Sequence, residues 1–120
     1  MRKSLIAPEP PPTPNAQPAV WPTVVQEYIT VRGSFAKLTV VELMQQRDAQ
    51  GRAKYGVPLQ PHNGRDATID LVQELLDACA YLQQLQMEGR PLESYTNCLR
   101  DALFAGIEDV LEHRHANPAQ

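Results

Sequence analysis

Asp70, Glu74, Asp77 and Tyr81 follow one another at intervals of four, three and four residues. On an α-helix turning 100° per residue they fall within about a 60° sector. Neighbours three or four apart stand roughly 5–6 Å from each other. At an effective dielectric of about 20, each close carboxylate pair then repels by roughly 3 kcal/mol. Such a stripe is relieved by a cation, by raised pKa values or by open solvent. The cation is the alternative with chemical content: Mg²⁺ takes oxygen ligands, commonly a few carboxylates completed by waters and substrate phosphates. The competing reading is a solvated acidic face, since Asp and Glu are frequent on exposed helices.

The elements that must position this line are legible around it. The stretch from Tyr55 to Tyr81 joins a Pro/Gly/Asn loop, residues 56–65, to a helix expected from about Asp66 to Glu88. Ile69, Val72, Leu75, Leu76, Cys79 and Leu82 form the apolar side opposite the carboxylates. Asp66 doubles as an N-cap. Gly89 and Pro91 close the helix. A preceding helix is expected from near Thr39 to before Gly56, with Val40, Val41, Met44 and Tyr55 on its apolar side. Thr39-x-x-Glu42 fits a capping box, and Gly51 weakens the interior by about 1 kcal/mol. A further helix runs from about Ser94 to His115, with Cys98, Leu99, Ala102, Leu103, Gly106, Ile107, Val110 and Leu111 as its stripe. The ordered part is therefore all-α.

Two helices that face each other with carboxylates make a polar site inside a bundle. The first helix offers Glu42, with Gln45 and Gln46 one turn on; Glu42 also reads simply as the N3 residue of its capping box. Cations flank the loop. Lys54 and Arg65 are the best placed, with Arg47 and Arg52 earlier on the helix. Guanidinium grips phosphate bidentately and Lys acts as a point charge. The start of the helix after Asn63-Gly64 offers backbone N–H donors. Asn63 and His62 are candidates to read a base edge, against turn chemistry as the plainer role. Tyr81 is a candidate for stacking on a base, against capping a core. His113 and His115 have no metal-type setting.

Together these residues resemble the all-α nucleoside triphosphate pyrophosphohydrolases of the MazG-like superfamily, whose pattern is E-x-x-E on one helix and E-x-x-D on a following helix. Glu42-Leu43-Met44-Gln45 stands at the first position and Glu74-Leu75-Leu76-Asp77 at the second. The run Lys54-Tyr55-Gly56-Val57-Pro58-Leu59-Gln60 with Asn63-Gly64-Arg65-Asp66 is similar to small phage-type members. The resemblance covers roughly residues 35–88. It implies a helical bundle completed by oligomerisation, as a dimer or tetramer. It implies hydrolysis of a (d)NTP to the monophosphate and pyrophosphate with Mg²⁺ or Mn²⁺. Glu42, Glu74 and Asp77 would be the catalytic and metal-binding carboxylates, with Asp70 the next ligand; Lys54, Arg65, Asn63 and Tyr81 would bind substrate. Gln45 departs from the pattern, because an amide carries no charge and cannot act as a base; Asp70 is the candidate to supply that carboxylate. The MazZ-like enzymes of phages that replace adenine with 2-aminoadenine, which act on dGTP or dGDP toward dGMP, belong to the same comparison, and no residue here singles them out. The alternatives are a non-catalytic helical interaction protein, in which the acidic line is a partner-binding face, and a nucleotide sensor that keeps the metal without turnover.

Composition bounds the rest. The 120 residues suit one small domain. Seven of the eleven prolines lie in the first 22 residues. Residues 1–22 therefore read as a flexible Pro-rich tail, and residues 23–120 as the domain with an N-terminal arm. The PEPPPTP run also fits an SH3-type ligand. The β-branched segment 23–31 reads as a short strand or an extended arm, and Trp21 as its anchor. A net charge of −3 and a pI near 5.5 argue against duplex nucleic acid as a partner. Cys79 and Cys98, lacking metal-type spacing, read as reduced buried thiols of a cytoplasmic protein, in the host cytoplasm if phage-encoded. No signal peptide or membrane span is expected.

Overall fold

The computed structural model describes residues 4–90 and 92–116, without the side chains of Ser94 and of residues 114–116. Four helices are present among them and no strand: α1, Val20–Arg32; α2, Leu38–Tyr55; α3, Ala67–Met87; and α4, Thr96–Ala116. The all-α expectation holds. The chain divides into two compact units, Pro10–Arg65 and Met1–Glu9 with Asp66–Gln120.

In the second unit α3 packs on α4. Ile69, Val72 and Leu82 of α3 and Leu103 of α4 are buried, at 0, 2, 4 and 8% exposure. This is the apolar face that the 3.6-residue period marks out, although Leu76, placed on that face by the sequence, is exposed. A Cβ on Gly106 would meet Leu75 Cδ1 at 3.7 Å, ordinary contact, so this glycine lets α4 lie close to α3 without being required for it. Asp66 caps α3: its Oδ1 accepts from the N–H groups of Thr68 at 2.9 Å and Ile69 at 3.4 Å. The other end of α3 closes in a Schellman arrangement. Gly89, at φ 73°, donates to the Gln86 carbonyl and Arg90 to the Leu85 carbonyl. Pro91, read from sequence as part of that stop, lies outside the described residues. The cysteines differ from expectation: both are free, but Cys98 is exposed and Cys79 only half-buried.

In the first unit α1 packs on α2. Here the sequence reading of 23–31 as strand or extended arm is corrected, because that segment is the body of α1. Its punctuation outweighs its β-branched content. Pro22 stands in the first turn, where its missing N–H costs no helical bond. Gly33, at φ 53°, ends the helix by donating to the Ile29 carbonyl. A β-branched residue costs a helix only about 0.5 kcal/mol, which packing readily offsets. The capping box is corrected as well. The N-cap of α2 is Lys37, with no side-chain cap, so Thr39 and Glu42 lie inside the helix. The Lys37 N–H donates instead to the Tyr28 hydroxyl at 2.8 Å, which ties α2's start to α1. Gly56, at φ 76°, terminates α2 and donates to the Arg52 carbonyl.

The Pro-rich segment has no regular secondary structure, yet it is hydrogen-bonded along its length. Within the first unit it runs antiparallel to the loop after α2. Pro10 meets Arg65, Thr13 meets Asn63, Asn15 and Gln17 meet Gln60, and the Val20 N–H reaches the Leu59 carbonyl. Within the second unit, Glu9 accepts from the Asp66 N–H, and the Leu5 and Ala7 carbonyls accept from the Gln73 amide. Residues 10–19 thus lie along the loop of their own unit as a strap, and residues 5–9 are held at α3 in theirs.

Candidate functional site

The α3 carboxylates lie as their spacing requires. Asp70 sits in the first turn and is half-buried; Glu74 and Asp77, one turn apart, are exposed. Tyr81 continues the line and is exposed rather than capping a core. Glu42 and Gln45 are exposed on α2, which belongs to the other unit. Among the described residues, no three or more His, Cys, Asp or Glu side chains are grouped to hold a metal ion. Mg²⁺ needs no third protein ligand where phosphate oxygens and waters complete its octahedron. An exposed carboxylate pair such as Glu74 and Asp77 fits that requirement.

The cations gather elsewhere, at the end of α2. Lys54 Nζ lies 5.1 Å from the centre of the Tyr55 ring, and Arg65 Cζ 5.6 Å from the same ring. Two positive groups therefore share one aromatic face-binding partner, in a unit whose loop supplies no carboxylate between Gly56 and Arg65. Arg65 also donates from Nη1 to the Pro10 carbonyl at 2.9 Å. Arg47 and Arg52 are less available to a phosphate. Arg52 pairs with Asp48 at 2.9 Å, and Arg47 donates to Gln50 at 2.9 Å.

Asn63 is 6% exposed, and its side-chain oxygen accepts from the Arg65 N–H at 3.1 Å. Its carbonyl accepts from Thr13 at 2.8 Å. Its visible work is an Asx turn that fixes where Arg65 leaves the loop. His62, exposed, takes a positive φ of 56° beside Gly64 at 84°. The left-handed residues thus bracket Asn63, whereas the Asn-Gly pair points to Asn63 itself. Three backbone donors at the start of α3 are already used, since Asp66 takes the Thr68 and Ile69 N–H groups and Glu9 takes that of Asp66.

Sequence reasoning missed Gln60 and Asn15. Gln60 is 8% exposed. Its oxygen accepts from the Asn15 N–H at 3.1 Å, and its amide donates to the Asn15 and Gln17 carbonyls at 2.8 and 2.7 Å. Asn15 Nδ2 donates to the Pro61 and His62 carbonyls at 2.9 and 3.0 Å, while its oxygen accepts from Gln17 at 2.8 Å. The one available signal was an Asn after Pro14, a turn former set among prolines. Among the described residues, the one shifted pKa is that of His113, remote from these groups in the sequence. A bond to the Asp109 carbonyl raises it first, and the Asp109 and Glu112 charges add to the effect.

Among the described residues, no helix is long and apolar enough to cross a membrane. Comparison with protein-family models, curated proteins and solved structures finds no match.

Proposed function

We propose that the chain hydrolyses a (deoxy)nucleoside triphosphate to the monophosphate and pyrophosphate, as the MazG-like resemblance implies, and that it works as a cytoplasmic homo-oligomer whose helical bundle is completed by further copies. The observation that carries this reading is the exposed Glu74–Asp77 pair on α3, with Asp70 on the same line. Roles are assigned residue by residue. Glu74 and Asp77 would hold Mg²⁺ or Mn²⁺, with Asp70 as a further ligand; the resemblance gives Glu42 a metal-binding role as well. The cation, when bound, neutralises charge developing on the phosphates. A carboxylate of the line orients the attacking water and takes its proton. Gln45 can offer an amide oxygen but no base. Lys54 and Arg65 supply positive charge for the phosphates. Tyr81, exposed, is available to stack on the base. A guanine deoxynucleotide is the substrate suggested by the MazZ-like comparison: dGTP, giving dGMP and pyrophosphate, or dGDP, giving dGMP and orthophosphate.

A second reading, a helical interaction protein without catalysis, draws on exposed apolar side chains: Phe35 between α1 and α2, and Leu38, Leu43, Leu71 and Phe104 on the helices. The two readings separate on one assay. The purified protein is incubated with a panel of NTPs and dNTPs, with and without Mg²⁺ or Mn²⁺, and the products are identified. The proposal expects cation-dependent release of pyrophosphate; the second reading expects none.

A further inference from the structure

The strongest candidate for a cation that grips phosphate is already held by the protein's own N-terminal segment. Within the Pro10–Arg65 unit, the Pro10 carbonyl accepts from Arg65 Nη1 at 2.9 Å. The same segment is then fastened in antiparallel order: the Thr13 N–H to the Asn63 carbonyl at 2.8 Å, Asn15 Nδ2 to the Pro61 and His62 carbonyls, and Gln60 to both Asn15 and Gln17. Prolines at 8, 10, 11, 12 and 14 keep this segment extended. It therefore gives up less chain entropy on lying down than a flexible tail would. Its carbonyls are neutral acceptors. A phosphate oxygen makes a charge-assisted bond roughly twice as strong, and it prefers two adjacent guanidinium N–H groups at once. The Pro10 carbonyl is thus a weaker acceptor for Arg65 than a phosphate oxygen, made competitive by being tethered and by the bonds at Thr13, Asn15 and Gln17.

We propose that residues 10–17 form an autoinhibitory strap that competes with a polyphosphate anion for Arg65, beside Lys54 and Tyr55, and must part from the loop before the anion binds. The proposal rests on the substrate class assigned above. It also gives the proline run a task that a solvated extension would not have. The apparent affinity of a site that is competent in only a fraction of molecules falls by that fraction. Loosening the strap should therefore tighten anion binding, the opposite of what damage to a binding loop does.

Two uncharged substitutions loosen it by different routes. Asn15→Ala removes the two donations to the Pro61 and His62 carbonyls; Thr13→Pro removes the N–H that reaches Asn63 and keeps the segment extended. Neither residue belongs to the proposed cation or substrate groups. The probe is inorganic triphosphate, titrated calorimetrically into the full-length wild type and both variants. Amide exchange at residues 15–20 reports strap release. The expected result is faster exchange and roughly tenfold tighter triphosphate binding in both variants, the size set by the loss of one or two ordinary hydrogen bonds from the closed state. Faster exchange with equal or weaker binding overturns the strap, as does the absence of triphosphate binding in every form. Tighter binding in the variants without turnover of any nucleotide upholds the strap and overturns the proposed hydrolysis. Turnover with unchanged binding does the reverse.

Discussion

The two units have opposite kinds of interior. Among the described residues of the α3–α4 unit the buried side chains are Ile69, Val72, Leu82 and Leu103, with Thr96 the one polar member. In the α1–α2 unit neither helix has a buried residue, and the buried side chains are Gln60 and Asn63, both on the loop after α2. The sequence explains the contrast. The apolar residues of α2 are crowded into its first two turns, and from Gln45 to Lys54 it carries only polar residues, alanine and glycine. A helix so composed cannot close a core against α1. The unit is instead fastened by hydrogen bonds between the strap and the loop. Each such bond contributes about 1 kcal/mol net, against about 1.5–3 kcal/mol for burying an aliphatic side chain. The lesson is that a small helical unit lacking a core can still fix a loop, provided a tethered segment satisfies the loop's polar groups.

The largest expected effect is on the apolar side. Ile69→Ala, at the most buried side chain, should cost about 2–5 kcal/mol in urea denaturation. A cost below 1 kcal/mol would mean that α3 and α4 are not closed around this residue. On the polar side, Gln60→Leu adds apolar volume but strands the Asn15 N–H and the Asn15 and Gln17 carbonyls. A loss of about 2–3 kcal/mol follows, with exchange rising first in residues 13–17. A leucine variant as stable as the wild type would erase the distinction between the two interiors.

Most of what was legible in the sequence lies in the α3–α4 unit. The extents of α3 and α4, the Asp66 cap and the Gly56 and Gly89 stops were legible, because each rests on a local rule: a 3.6-residue stripe, a side chain that accepts from its own helix, a glycine at positive φ. α1 was not, because its β-branched residues outvoted Pro22 and Gly33. The strap was not legible either. Nothing near Asn15 announces Gln60, 45 residues away. The acidic line was placed correctly on α3, whereas the Thr39 capping box failed because Lys37, held by the Tyr28 hydroxyl, starts α2 two residues earlier. For the site, spacing gave the Glu74–Asp77 pair and offered Glu42 on the preceding helix, and only the resemblance joins the two.

The smallest effect concerns His113, exposed near the end of α4. Its bond to the Asp109 carbonyl and the Asp109 charge hold its pKa above the usual 6.5. Because the folded value is raised, the stability linked to it is complete below the unfolded value and is lost as pH rises through the folded one. Asp109→Asn should lower the His113 pKa while leaving it above that of an isolated imidazole, since the carbonyl bond remains. The shift is measurable by following the ring protons through an NMR titration. An unmoved pKa would assign the whole shift to the backbone.

The proposed hydrolysis puts its chemistry on the α3 carboxylates. Its most direct test is turnover by Glu74→Ala and Asp77→Ala, each compared with the wild type at saturating Mg²⁺ and with the most readily cleaved nucleotide, helicity being checked by circular dichroism. Both variants are expected to keep their helices, since both side chains are exposed, and to lose pyrophosphate release altogether. Wild-type rates in both variants would contradict the account and leave the acidic line a solvated face.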